Sequence, residues 1–210
     1  MKHLEEDGFY AADPRNSMPY LWGDEGEPDT HTMICYKWMA AQLARKTSRP
    51  DGVSLPIWAW KRYDKDHDKP DMRTWTTEAP EKVVRLTLDV PDDEVLVSDF
   101  DLWHMPLNRG FCSYSEKEGG AFDAWCESVG IDRFHNDIWD FSKQAPELRL
   151  ARRKVFDSWK RIIDPDPSLF DENWVGKLSE SPLQAVFWMI RSEYVKKVEH
   201  FTTRQAGKIR

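Results

Sequence analysis

The chain has little of what staples or loosens a small protein: three cysteines and ten glycines in 210 residues. Cys35, Cys112 and Cys126 fit neither an even disulfide framework nor a Cys-x-x-Cys metal knuckle, so reduced thiols filling the core are expected. A long hydrophobic run is also missing. The stretch over 183–190 stops far short of the roughly 20 apolar residues of a membrane span. Met1-Lys2-His3-Leu4-Glu5-Glu6 has no hydrophobic signal core, and the expectation is a soluble, cytoplasmic protein without a membrane partner. No Gly-x-Gly-x-x-Gly, Walker A, Gly-x-Ser-x-Gly or His-Glu-x-x-His motif occurs, which sets aside the familiar dinucleotide, NTPase, hydrolase and metalloprotease families. The cofactor is therefore unknown from sequence, and whether the chain is an enzyme stays open.

What is abundant is aromatic. The chain has 11 tryptophans and 13 prolines. Each indole buries a large apolar body while its N–H asks for an acceptor, so most of these rings belong to a core. Stiff, proline-punctuated connections suit a mixed fold of short elements. The formal net charge is −7, so nucleic acid is not expected as a general partner. Within residues 1–30, Lys2 and Arg15 stand against Glu5, Glu6, Asp7, Asp13, Asp24, Glu25, Glu27 and Asp29, whereas residues 191–210 are net basic. The acidic head is expected to be a partly mobile segment of a single domain spanning 1–210.

Local patterns give the elements. Residues 4–7 end a short helix at Gly8. Asp29 or Thr30 caps a helix with Ile34, Trp38, Ala41 and Arg45 on one stripe. Residues 53–60 form a strand that puts Trp58 and Trp60 on one face. Strands over 83–90 and 94–97 make a hairpin about Pro91-Asp92-Asp93, after which Ser98, with Asp101 in a near capping box, opens a helix through Asn108. Helices follow from 116 to Gly130, over 132–142, and from Pro146 to the Asp164-Pro165-Asp166-Pro167 breaker. Residues 181–190 are read as a helix, with Gln184 and Trp188 one turn apart, and 193–203 as a strand. Together these make an α+β fold: a small, mainly antiparallel sheet packed by several helices.

Three blocks carry the chemistry. Trp58 and Trp60 offer flat faces to a base, a sugar or a nicotinamide ring, or else simply fill the core. Lys69, Asp71 and Arg73 lie on the loop leaving that strand. There Arg73 suits a phosphate or carboxylate and Asp71 orients it, unless the run is only a solvated salt bridge. Asp99, Asp101 and His104 follow. The i, i+3 spacing of Asp101 and His104 suits general acid–base work, with plain helix capping and an ordinary structural histidine as the alternatives. No zinc spacing matches, and no metal is expected. Gln184 and Trp188 can read a ligand edge or pack with one buried hydrogen bond.

The blocks Pro56-Ile57-Trp58-Ala59-Trp60 with Lys69-Pro70-Asp71-Met72-Arg73, Val95-Leu96-Val97-Ser98-Asp99-Phe100-Asp101-Leu102-Trp103-His104 with Asn108, and Gln184-Ala185-Val186-Phe187-Trp188 with Val195 and Val198 occur in this order. Together they resemble family 3841 of the domains of unknown function, found in bacteria and phages, over about residues 33–204. In that family's pattern a strand often precedes the first short helix, and the expectation is that this chain starts too late to contain it. The resemblance implies a shared fold and a shared site, and no activity. Two functions are weighed: a nucleotide or ADP-ribosyl-type small molecule, anionic at its phosphates, held in an aromatic cleft with Arg, Asp and His, or a non-catalytic module binding a host or phage protein partner.

Overall fold

In the computed structural model, which describes residues 2–14, 30–132 and 137–205, the chain opens with α1 (Lys2–Glu6). It turns at Gly8, whose φ of 76° is a left-handed stop that costs glycine no Cβ clash. β1 (Phe9–Ala11) follows. α2 (Thr30–Lys46) ends in Arg45 and Lys46, as its dipole favours. The cap expected from Asp29 or the Thr30 side chain, and the acidic stretch over 15–29, lie outside the described residues. The buried face of α2 carries Cys35, Trp38, Met39 and Leu43. Of the expected stripe, Ala41 and Arg45 are exposed. The bulkier Met39 and Leu43 turn the packed face around by one position.

The remaining elements are β2 (Ile57–Arg62), β3 (Thr76–Thr77), β4 (Lys82–Leu88), β5 (Leu96–Asp99), α3 (Phe100–Leu107), α4 (Glu116–Ser128), α5 (Pro146–Trp159), α6 (Glu172–Val175), β6 (Leu183–Phe187), β7 (Met189–Arg191), β8 (Val195–Thr202) and β9 (Arg204–Gln205). The fold is α+β. The strands do not make one sheet: β2, β6 and β5 form a three-stranded antiparallel sheet with β6 central, while β1–β7, β4–β8 and β3–β9 are separate pairs. Among the described strand pairs only β3–β9 is parallel.

Three expectations are corrected. The hairpin of β4 with β5 is absent, because β4 pairs β8 from Lys82↔Thr202 to Leu88↔Val195 while β5 pairs β6. A 3-10 turn at Asp92–Glu94 re-aims the chain between them. The helix over 181–190 is instead β6 and β7. A central strand buried on both faces reads as a continuous apolar run, which periodicity cannot separate from a buried helix. The helix over 132–142 is reduced, among the described residues, to a 3-10 turn at Asp137–Trp139. The strand expected over 193–203 is present as β8.

Packing centres on Trp159, fully buried at the end of α5. Its ring stacks on Trp139 at 5.7 Å and meets Trp38 edge-on at 5.6 Å, and its indole N–H donates to the Gly110 carbonyl at 2.8 Å. α5 starts with Pro146 at its first turn, as expected, and buries Leu148, Ala151 and Val155. Cys35, Cys112 and Cys126 are buried and form no disulfide. Burial pushes the Cys112 thiol up to about 12, which leaves it inert as a nucleophile.

Candidate active site

The register of the three-stranded sheet decides which side chains meet. Directly paired residues of antiparallel strands share a face, with Cα atoms roughly 4.5–5.5 Å apart. Trp58 pairs Val186, which pairs Leu96; in the next row Trp60 pairs Gln184, which pairs Ser98. These two rows occupy one face. The alternate residues Ile57, Ala59, Val97, Ala185 and Phe187 form the other, packed in a small apolar cluster with Leu4, Val95 and Ile190.

The first face packs on the main hydrophobic core, with Leu96 and Val186 buried and Trp58 against them, yet it carries polar atoms without partners among the described residues. Trp58 lies 4.8 Å from the Tyr36 ring of α2 and 5.9 Å from Trp103 of α3. Trp60 meets Tyr63 at 5.2 Å and Phe100 at 5.0 Å, both edge-on. Trp58 Nε1, Gln184 Oε1 and Ser98 Oγ are all buried and find no hydrogen-bond partner among the described residues. A buried polar group left unpaired costs about 1–3 kcal/mol. Three of them in two adjacent rows are therefore an expensive arrangement, and they present one N–H donor, one carbonyl acceptor and one hydroxyl.

Asp99, the next residue after Ser98, is equally buried but fully satisfied. Its Oδ1 accepts from Leu102 N at 2.9 Å, capping α3, and its Oδ2 accepts from the Ser181 hydroxyl. Asp99 and not Ser98 is the helix cap, because Ser98 is still paired in β5 and the backbone turns one residue later. Burial raises the Asp99 carboxyl above its ordinary range, against the pull of these two hydrogen bonds. As a cap aimed at its own helix, it does not face the rings.

Asp101 and His104 are exposed on α3. No hydrogen bond or ion pair joins them: His104 Nδ1 lies 3.0 Å from the Phe100 carbonyl, and its ring meets Phe100 edge-on at 4.8 Å. A carbonyl only accepts, so Nδ1 carries the proton and Nε2 of the neutral ring is an acceptor. His104 thus joins the Trp58–Trp60 face through Phe100. The 69–73 loop is held elsewhere, with Pro70 O accepting from Arg85 Nη1 of β4 at 2.9 Å and the turn Met72–Thr74 lying against β8. Lys69 and Asp71 are exposed on this loop, and the Arg73 side chain lies outside the described residues. Trp188 is buried at the bend between β6 and β7, and its indole N–H donates to Thr47 O at 3.3 Å. It is pinned to the end of α2 and shares no helix face with Gln184. Among the described residues no group of three or more His, Cys, Asp or Glu is placed to hold a metal ion.

The sequence did not single out Ser98 or Phe100, which the fold brings beside the candidates Gln184 and Trp60. Ser98 lies two residues beyond Leu96, an alternation that marks a strand face, but its place beside Gln184 depends on a pairing between residues far apart in the chain.

The family described as domain of unknown function (DUF3841) matches residues 1–196. No curated protein and no solved structure matches the chain. Among the described residues no helix is long and apolar enough to cross a membrane.

Proposed function

The chain belongs to that family, whose description states no activity, and we propose that it binds a small, flat, nucleotide-type molecule on the Trp58–Trp60 face of its three-stranded sheet. The observation that carries this reading is the trio of buried, unpartnered polar atoms, Trp58 Nε1, Gln184 Oε1 and Ser98 Oγ, beside aromatic rings. Unpaired buried polar groups call for an explanation, and a ligand edge that supplies their hydrogen bonds is one with chemical content. The ring of the ligand enters against the indoles, while its sugar and phosphates stay toward water. His104 Nε2 accepts a proton from the bound molecule if a reaction follows, with Asp101 adding negative charge on the same turn.

Thermal unfolding of the full chain with NAD, ADP-ribose, AMP and simple sugars tests this. At 100 times its dissociation constant a ligand adds about 2.7 kcal/mol, or roughly 5–10 °C for a chain of this size. A shift with a nucleotide that is lost in Trp58→Phe supports the reading. No shift with any of them overturns it and leaves protein-partner binding as the alternative.

A further inference from the structure

The hydrogen-bonding inventory of the same face narrows what it recognises, an inference that rests on the small-ligand reading. Trp58 Nε1 is a donor and nothing else; Gln184 Oε1 is an acceptor; Ser98 Oγ is either. The two rows hold Trp58, Val186, Leu96, Trp60, Gln184 and Ser98, none of them ionisable. Asp99, the nearest carboxyl along the chain, spends both oxygens on Leu102 N and Ser181. A charged ligand edge would be desolvated here without a counter-charge.

We propose that this face reads the neutral amide or lactam edge of a flat heteroaromatic ring, its carbonyl accepting from Trp58 Nε1 and its N–H donating to Gln184 Oε1, with Ser98 completing the set. Gln184 is central because β6 lies between β2 and β5, so its side chain is a neighbour of Trp60 on one side and Ser98 on the other. A carboxylate of the same shape offers oxygen where N–H is needed, and its lone pairs oppose those of Gln184. Only the opposite orientation of the Gln184 amide, with Nε2 turned inward, would make a pair of donors that favours a carboxylate.

Nicotinamide and nicotinate are near-isosteric probes that differ at this edge. Calorimetric titration of the full chain is expected to give nicotinamide at least about a tenfold advantage. Gln184→Met should abolish that advantage by weakening nicotinamide alone. Trp58→Phe should weaken both probes alike, since each has an oxygen to accept the indole proton. Equal or tighter binding of nicotinate to the wild type overturns the amide assignment, and so does an undiminished preference in a folded Gln184→Met chain. If NAD or AMP binds and neither ring does, the amide assignment alone falls; if no nucleotide binds either, the small-ligand reading falls with it.

Discussion

The two faces of the three-stranded sheet come from alternate residues of the same strands, yet they are built on opposite rules. One side presents Ile57, Ala59, Val97, Ala185 and Phe187 and is wholly apolar. The other presents large rings and three polar atoms that nothing among the described residues satisfies. Stability alone accounts for the first face. The second face packs too, with Leu96 and Val186 buried in the main core, but its three polar atoms add no hydrogen bond to that packing among the described residues. Buried polar groups that do not serve folding are where function is to be sought.

The comparison breaks most easily at its stable side. Phe187→Ala on the apolar face should cost about 3–5 kcal/mol, the price of deleting a buried ring and leaving a cavity. Urea denaturation measures it, and a loss under 1 kcal/mol would mean that this face is not the close-packed side. Removing the satisfied polar group should cost less: Asp99→Ala deprives α3 of its cap, a loss of about 1–2 kcal/mol by the same measurement. Ser98→Ala, one residue away and equally buried, should differ in sign. Its stability should stay level or rise by about 1 kcal/mol while nucleotide affinity falls, because the lost hydroxyl has no partner among the described residues. A destabilised Ser98→Ala chain would show that the hydroxyl is paired after all.

The smallest effect is a pH dependence. The Asp99 carboxyl is raised in the folded state, so between its unfolded and folded pKa values the native state binds more protons than the unfolded one. That contribution to stability is fully present below the unfolded pKa and is lost as pH rises through the folded one. Asp99→Asn cannot titrate, so the wild type should lose stability relative to this variant as pH climbs above the ordinary carboxylate range. Parallel curves for the two chains would place the Asp99 carboxyl at its ordinary value.

Much of the scaffold was legible locally. Gly8, Gly130 and Pro146 mark helix boundaries by backbone chemistry that needs no tertiary partner, and the α3 helix after β5 was placed within one residue. What was not legible was partnership. The Pro91-Asp92-Asp93 turn looks like a hairpin whether β4 finds β5 or β8, and the run from Leu183 to Phe187 has the apolarity of a buried helix and of a central strand alike. That second ambiguity also hid the proposed site: as a helix residue Gln184 would share a face with Trp188, whereas in β6 it lies between Trp60 and Ser98. Trp58 and Trp60 were placed on a common face because a strand's alternation is local. Their unpaired neighbours belong to segments that meet only once the sheet is assembled.

The most direct test follows the indole N–H of Trp58 by two-dimensional proton–nitrogen NMR, assigned by its disappearance in Trp58→Phe. On adding saturating nicotinamide the expected result is a downfield shift of that resonance, with the Trp188 indole, already bonded to Thr47, unmoved. A Trp58 resonance that stays in place while nicotinamide or NAD is demonstrably bound would contradict the claim that the aromatic face of the sheet is the ligand site.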